Sequence, residues 1–216
     1  MSIPTLTDSQ TYQEIFDKVI ESANDDIVVV EIGVFLGGTT CYIASKLAEK
    51  GVAYTYIAID DFKFANISYE HNQQYTKNIP PYIAYANNLR KSKAKVNTFI
   101  GDSIEISKVF KDKSIDFLFI DGDHSEYCID ELEAWLPKMK ENSVISGHDY
   151  CDSEFVRKAC KKHLVDFQLT TNKASYFKQL GEGIMSGGPK IIKPKFWIRL
   201  MFYFYGWYHW LKGGKK

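Results

Sequence analysis

Apolar positions along this chain follow two periods that take turns. Tyr12, Ile15, Phe16, Val19 and Ile20 recur at helical spacing, with Thr11 and Glu14 placed as a capping box before them. Ile27 to Ile32 is then apolar at nearly every position, which suits a strand buried on both faces of a parallel sheet. The exchange repeats. A helix is expected from about Thr39 to Gly51, a natural C-cap, followed by a strand over Tyr54 to Ile59. Phe62 to Lys95 is polar and rich in Asn and Tyr. Pro80-Pro81 must interrupt any helix there, so it reads as two helical pieces, one of them a candidate cover. Asn97 to Ile100, Ile115 to Ile120 and Ser143 to Ser146 read as further strands. A short helix precedes the second of these. A longer one from Ser125 follows it, with Ile129, Leu132, Leu136 and Met139 as its apolar face. A helix over Glu154 to His163 and strands at Phe167 to Thr170 and Ser175 to Gln179 complete the pattern. The turn Thr171 to Lys173 is short enough for an antiparallel hairpin.

Repeated strand–helix units imply an α/β fold, a doubly wound, mostly parallel sheet with right-handed crossovers. Seven strands are expected, the last pair antiparallel. At 216 residues the chain fits one large domain, placed over residues 1–183, with a compositionally separate segment at 184–216. Basic and acidic residues number 27 each, so no global field favours nucleic acid. Cys41, Cys128, Cys151 and Cys160 have no CxxC spacing and read as reduced, mostly buried thiols. With the polar N-terminal segment MSIPTLTDSQ, they give the expectation of a cytoplasmic protein.

The chemistry sits where strands end. The five ends carry Glu31-Ile-Gly33, Asp60-Asp61, Gly101-Asp102-Ser103, Asp121-Gly-Asp123-His124 and His148-Asp149. Parallel strands place their C-terminal ends on one edge of the sheet, so these groups should converge. Taken singly, each acid fits an N-cap or a turn. Converging carboxylates repel unless a ligand hydroxyl, amine or cation offsets them, so the set as a whole points to a site. The turn after the first strand, Gly33-Val-Phe-Leu-Gly37-Gly38, is not GxGxxG. Its glycines let a ligand approach closely, and the following helix start offers N–H groups. An acid such as Asp60 at the second strand end suits a ribose, which leaves nicotinamide and adenosyl cofactors both open.

The run VVEIGVFLGGTT resembles the first motif of the class I S-adenosylmethionine-dependent methyltransferases, whose Rossmann-like fold adds an antiparallel terminal strand. The run IDFLFIDGDHSEYCIDELEAWLPKMKENSVISGHDY is similar to a bacterial subgroup typified by macrocin-type sugar O-methyltransferases. The catechol-type O-methyltransferases share the plan more distantly. The resemblance covers roughly Asp26 to Tyr150. It implies S-adenosylmethionine as cofactor, with Glu31 and Gly33 lining its methionine end and Thr39 facing its carboxylate. Asp60 would accept from the ribose hydroxyls, Asp102 and Ser103 would edge the adenine, and Asp121 would lie between cofactor and metal.

A divalent cation, magnesium or manganese, is implied on Asp121, residue 148 and Asp149, and His124 is implied as general base. Such a cation lowers the pKa of a bound hydroxyl, and an imidazole takes its proton near neutral pH. The metal-dependent relatives carry an acid at position 148, where this chain has His148. A neutral imidazole is a poorer magnesium ligand and a better one for manganese, iron or zinc. His148 therefore reads as a metal ligand, a second base or a hydrogen-bonded residue at a strand end. Asp123 reads as a turn residue, and His71 and His163 as solvated surface.

The expected activity is methyl transfer to a hydroxyl of a sugar or a small glycosylated metabolite. Its rivals are a nicotinamide-dependent oxidoreductase, which the missing third glycine disfavours, and a non-catalytic member of the fold, which intact Asp121, His124 and Asp149 disfavour. The expected partner is the small-molecule or glycan substrate, not nucleic acid. Phe196 to Leu211 is intensely aromatic, holds His209, and is flanked by Lys190, Lys193, Lys195, Lys212, Lys215 and Lys216. With Arg199 and Gly206 inside, it does not suit a spanning helix. It should pack on its own domain or on a twin subunit, hiding an apolar patch, or else lie peripherally at a membrane surface.

Overall fold

Five parallel strands bring their C-terminal ends to one edge of a seven-stranded sheet, as the strand–helix alternation requires. The computed structural model describes residues 13–24, 26–63 and 79–181. The Thr11 half of the capping box, residues 64–78 with His71, and the aromatic segment with His209 lie outside the described residues, as does the expected domain boundary. The strands are β1 (Ile27–Ile32), β2 (Tyr54–Asp60), β3 (Asn97–Ile100), β4 (Ile115–Ile120), β5 (Met139–Gly147), β6 (Gln168–Leu169) and β7 (Tyr176–Gln179). Their order is β3-β2-β1-β4-β5-β7-β6. β7 runs antiparallel to both β5 and β6, which is the expected terminal reversal.

The described helices are α1 (Gln13–Ser22), α2 (Gly38–Lys50), α3 (Pro81–Ser92), α4 (Ser103–Ser107), α5 (Tyr127–Trp135) and α6 (Glu154–His163). They cover both faces of the sheet. Phe16 of α1 stands edge-on to Phe117 and Phe119, with ring centroids 5.7 and 4.8 Å away. On the other face Leu132 and Trp135 of α5 and Val156 and Cys160 of α6 pack with Val30, Leu118 and Ile145. From Phe117 to Ile120 alternate residues of β4 thus enter different cores, which is why that stretch had to be apolar throughout. α2 stops at Gly51, which takes the left-handed conformation (φ 77°) and returns its N–H to the last turn. α3 begins at Pro81, where a missing N–H costs nothing.

Three expectations change. The helix after Ser125 does not carry Leu136 and Met139 on its apolar face: it ends at Trp135, a 3-10 turn spans Leu136–Lys138, and Met139 opens β5. Pro137 lacks the N–H a continuing helix needs and crowds the preceding turn. The apolar spacing that ran on through Met139 therefore spans the end of one element and the start of another. β5 also begins four residues before the expected Ser143, because Lys140, Glu141 and Asn142 break its apolar pattern; its register with β4 shifts between Ile115 and Phe117. His163, expected at the surface, has a side chain only 11% exposed and lies 3.6 Å from Glu133. All four cysteines are free, with Cys41, Cys128 and Cys160 buried.

The ladder continues past the strand ends. Gly33 N donates to Ile59 O (2.9 Å), Asp121 N to Ile32 O (2.8 Å), His148 N to Ile120 O (3.1 Å) and Gly101 N to Asp60 O (3.1 Å). These bonds fix the residues that begin the loops, so backbone register sets where their side chains emerge.

Candidate active site

Four strand-end side chains meet. His124 Nε2 lies 2.9 Å from Asp149 Oδ2 and 3.8 Å from Asp121 Oδ1. His148 Nδ1 lies 3.2 Å from Asp149 Oδ1 and 3.6 Å from Asp121 Oδ1. Asp149 therefore sits between two imidazoles. The contact between His124 and Asp149 does not have the geometry of a straight hydrogen bond, and it becomes an ion pair only when His124 is protonated. Asp149 occupies the left-handed region (φ 54°), where Asp is among the residues that settle most readily.

The charges follow from this packing. Burial opposes ionisation of Asp149, but its contacts with His124 and His148 outweigh burial and hold it well below the usual carboxylate range. Burial alone would lower both histidines; their carboxylate neighbours, Asp149 foremost for each, raise them above 6.5 instead. Asp121 is pushed up to about 6, chiefly by burial and secondarily by Asp149, against the lowering influence of both imidazoles. Asp121, His148 and Asp149 each place one ligand atom within 4.8 Å of the others. Two carboxylates and an imidazole at that spacing fit a divalent cation. A small cleft runs beneath His124 and His148, with Val156, Ala159 and Tyr176 among its walls.

The cofactor candidates are placed differently from one another. Asp60 accepts from Val34 N (2.8 Å) and Phe35 N (3.0 Å) in the glycine turn and from Phe62 N (2.7 Å). Three of its roughly four acceptor positions are thus taken by backbone. Burial raises its pKa, and those three amides work against the rise. α2 starts after Gly37 with no side chain capping it, which suits an incoming carboxylate, and Thr39 is buried in its first turn. Asp102 caps α4 through Glu105 N (2.9 Å) and takes the Tyr127 hydroxyl at 2.8 Å. Ser103 donates inward to Glu131. Asp123 closes a turn by accepting from Ser125 N at 2.6 Å. Gly33 has φ 79°, and a Cβ there would overlap the Asp121 carbonyl. Its glycine is needed for the close approach of β1 to the turn after β4.

Glu31 lies beneath the glycine turn, 1% exposed. Thr40 Oγ1 and Tyr56 OH both donate to its Oε2, at 2.6 and 2.7 Å, while Oε1 is buried without a partner. Burial pushes it up to about 8; the two hydroxyls pull the other way, and Asp121 and Asp60 add to the rise. The folded chain thus holds this proton more tightly than the unfolded chain, whose value is near 4.5. The contribution of Glu31 to stability is therefore greatest below 4.5 and declines as pH rises towards 8. Glu31→Gln is expected to flatten that decline, read as urea midpoints across the window. An unchanged slope would show that Glu31 folds ionised.

Thr40, Tyr56, Tyr127 and Glu131 were not singled out from the sequence. Glu131 did leave a signal: it shares a helical face with Cys128, Leu132 and Trp135, and an acid on an apolar face is out of place.

A family model described as a methyltransferase domain matches residues 30–150, more than half of the chain. The chain belongs to that methyltransferase family. Its known structural neighbours share the fold at low identity. The precorrin-8w decarboxylase of Methanobacterium thermoautotrophicum is 15% identical with TM-score 0.56, over 82% of this chain and 94% of that one. The O-methyltransferase TomG of Streptomyces achromogenes, solved with S-adenosylmethionine, is 12% identical with TM-score 0.54, over 82% of each chain. The O-methyltransferase NovP is 17% identical with TM-score 0.57, over 78% of this chain and 79% of that one. No curated protein sequence matches this chain. The protein is a methyltransferase, which decides against the nicotinamide-dependent alternative. Among the described residues no helix is long and apolar enough to cross a membrane.

Proposed function

We propose that this methyltransferase acts on a hydroxyl oxygen of a sugar or a small glycosylated metabolite, with His124 removing the proton. The 2.9 Å contact between His124 Nε2 and Asp149 Oδ2 carries the reading, because it pairs an imidazole with an orienting carboxylate at the shared strand edge. Bound S-adenosylmethionine supplies a methyl group on a sulfonium, so the protein has to hold the hydroxyl in line and take its proton. Asp149 is held ionised and steadies the imidazolium that forms when His124 accepts that proton. Asp60 and the glycine turn would hold the ribose, and the uncapped start of α2 the amino-acid carboxylate. Asp121, His148 and Asp149 would hold a divalent cation, whose chemistry would be to acidify the hydroxyl. The sugar assignment draws on the paired DGDHS and GHDY segments and their likeness to macrocin-type enzymes.

Calorimetric titration with S-adenosylhomocysteine, with and without magnesium or manganese, tests the reading. Saturable binding is expected in each condition, with manganese taken up more tightly than magnesium because of His148. No binding in any condition would end it.

A further inference from the structure

Glu131 takes no part in the chemistry above, yet it is an acid 1% exposed on the core face of α5. Its Oε1 accepts the hydroxyl of Ser103, the first residue of α4. Its Oε2 is buried and has no hydrogen-bond partner. Both oxygens also lie against Gly122, since a Cβ built there would sit 3.8 and 3.9 Å from them. One carboxyl group therefore touches two loops, the one after β3 and the one after β4. Tyr127, one turn earlier on α5, widens the bridge. Its hydroxyl donates to Asp102 Oδ2 at 2.8 Å and lies 3.4 Å from Ser103 Oγ. Both residues expected to edge the adenine are thus gripped by α5 from below.

A buried carboxylate with an unshared oxygen is strongly disfavoured against its neutral form. The charged groups facing Glu131 are Asp102 before α4 and Asp123 and His124 on the turn after β4. Cys128 on α5 and Tyr176 on β7 also feel its charge, and Tyr127 shares Ser103 with it. Burial pushes Glu131 up to about 7; Ser103 and His124 pull it down, and Asp123 and Asp102 push it further up.

We propose that Glu131 is a positioning residue for the cofactor, fixing through Ser103 and the floor beneath Gly122 the two loops that flank the nucleobase. The inference rests on S-adenosylmethionine binding at the strand ends. The neutral acid holds Ser103 without repelling its surroundings. The ionised acid, beside Asp102 and Asp123, pushes the same loops apart. A nucleobase seated over Ser103 and Gly122 dries the ground above Glu131, so the bound state keeps the proton more tightly than the free state. Binding then takes up a proton, and affinity falls as pH rises through neutrality.

The test is calorimetry of the full chain with S-adenosylhomocysteine, from about pH 6 to about pH 8.5, in buffers of different ionisation heat. Wild type is expected to lose about five- to tenfold in affinity over that range, with proton uptake on binding. Glu131→Gln keeps the contact with Ser103 but cannot ionise. It should match wild type within about twofold at the acid end and show correspondingly less loss and less uptake. Asp121, Glu31 and His124 titrate in both proteins, so the difference between them isolates Glu131. Identical slopes and uptake in the two proteins would overturn the proposal. If Glu131→Gln does not fold, Ser103→Ala reads the same coupling. Losing the hydroxyl that favours the carboxylate should move the fall in affinity to higher pH, and an unmoved midpoint overturns the proposal. Wild type that binds no S-adenosylhomocysteine at any pH defeats the cofactor reading itself, an outcome distinct from the loss of the Glu131 effect.

Discussion

His124→Gln is expected to lower kcat about a hundred- to ten-thousandfold while leaving S-adenosylhomocysteine affinity within about threefold. Glutamine keeps a polar group of similar reach but cannot carry a proton away from an alcohol. Under the proposed mechanism the loss falls on chemistry rather than on structure. The His124 side chain is 35% exposed at the cleft and contacts the site through its ring, against Asp149 and Asp121. Its backbone carbonyl, which accepts from Ser153 Oγ at 2.8 Å, is untouched by the change. Release of S-adenosylhomocysteine with a hydroxylated acceptor measures kcat, and calorimetry measures cofactor affinity. A kcat within threefold of wild type would remove His124 from the mechanism. An equal loss in both quantities would instead make it a structural residue of the turn.

Gly33→Ala is expected to destabilise the fold by about 2–5 kcal/mol, enough to prevent folding if the margin is small. Two effects combine. At φ 79° an alanine is in the left-handed region, which costs about 1–2 kcal/mol. Its methyl group would also meet the Asp121 carbonyl and, at 2.5 Å, Gly122 Cα. These are backbone atoms and cannot rotate aside, so the overpacking adds about 1–3 kcal/mol. Relief requires β1 and the turn after β4 to part, which moves Asp121. Urea denaturation reads the loss as a lower midpoint. A change below about 1 kcal/mol would show that the strand spacing is not tight here.

The same glycine shows how far the sequence reaches. A glycine after a buried strand, followed by Gly37 and Gly38, marks a turn that a ligand can approach. That Gly33 is also required by the backbone of a strand-end 88 positions later could not be read, because 33 and 121 meet only when β1 pairs with β4. Asp60 is similar. Its place at a strand end is clear, but two of its backbone donors, Val34 N and Phe35 N, come from a loop some 25 residues earlier that folds back onto it. The helix end at Trp135 shows the opposite failure. The apolar spacing ran on across Pro137, and a period measured over few residues does not distinguish a helix's last turn from a strand's first residue.

By itself the sequence determined the alternation of strands and helices, the convergence of acids at five strand ends, and the pair of segments holding Asp121, His124, His148 and Asp149. These are local properties, written in periods of two and 3.6 residues and in residues adjacent along the chain. Only the tertiary structure decided which groups share protons and charge. It put Asp149 between two imidazoles, Glu31 under Thr40 and Tyr56, and Glu131 against Ser103. Each of these couplings depends on burial and on distances of a few ångströms between separate elements, and both quantities exist only once the sheet and its helices have packed.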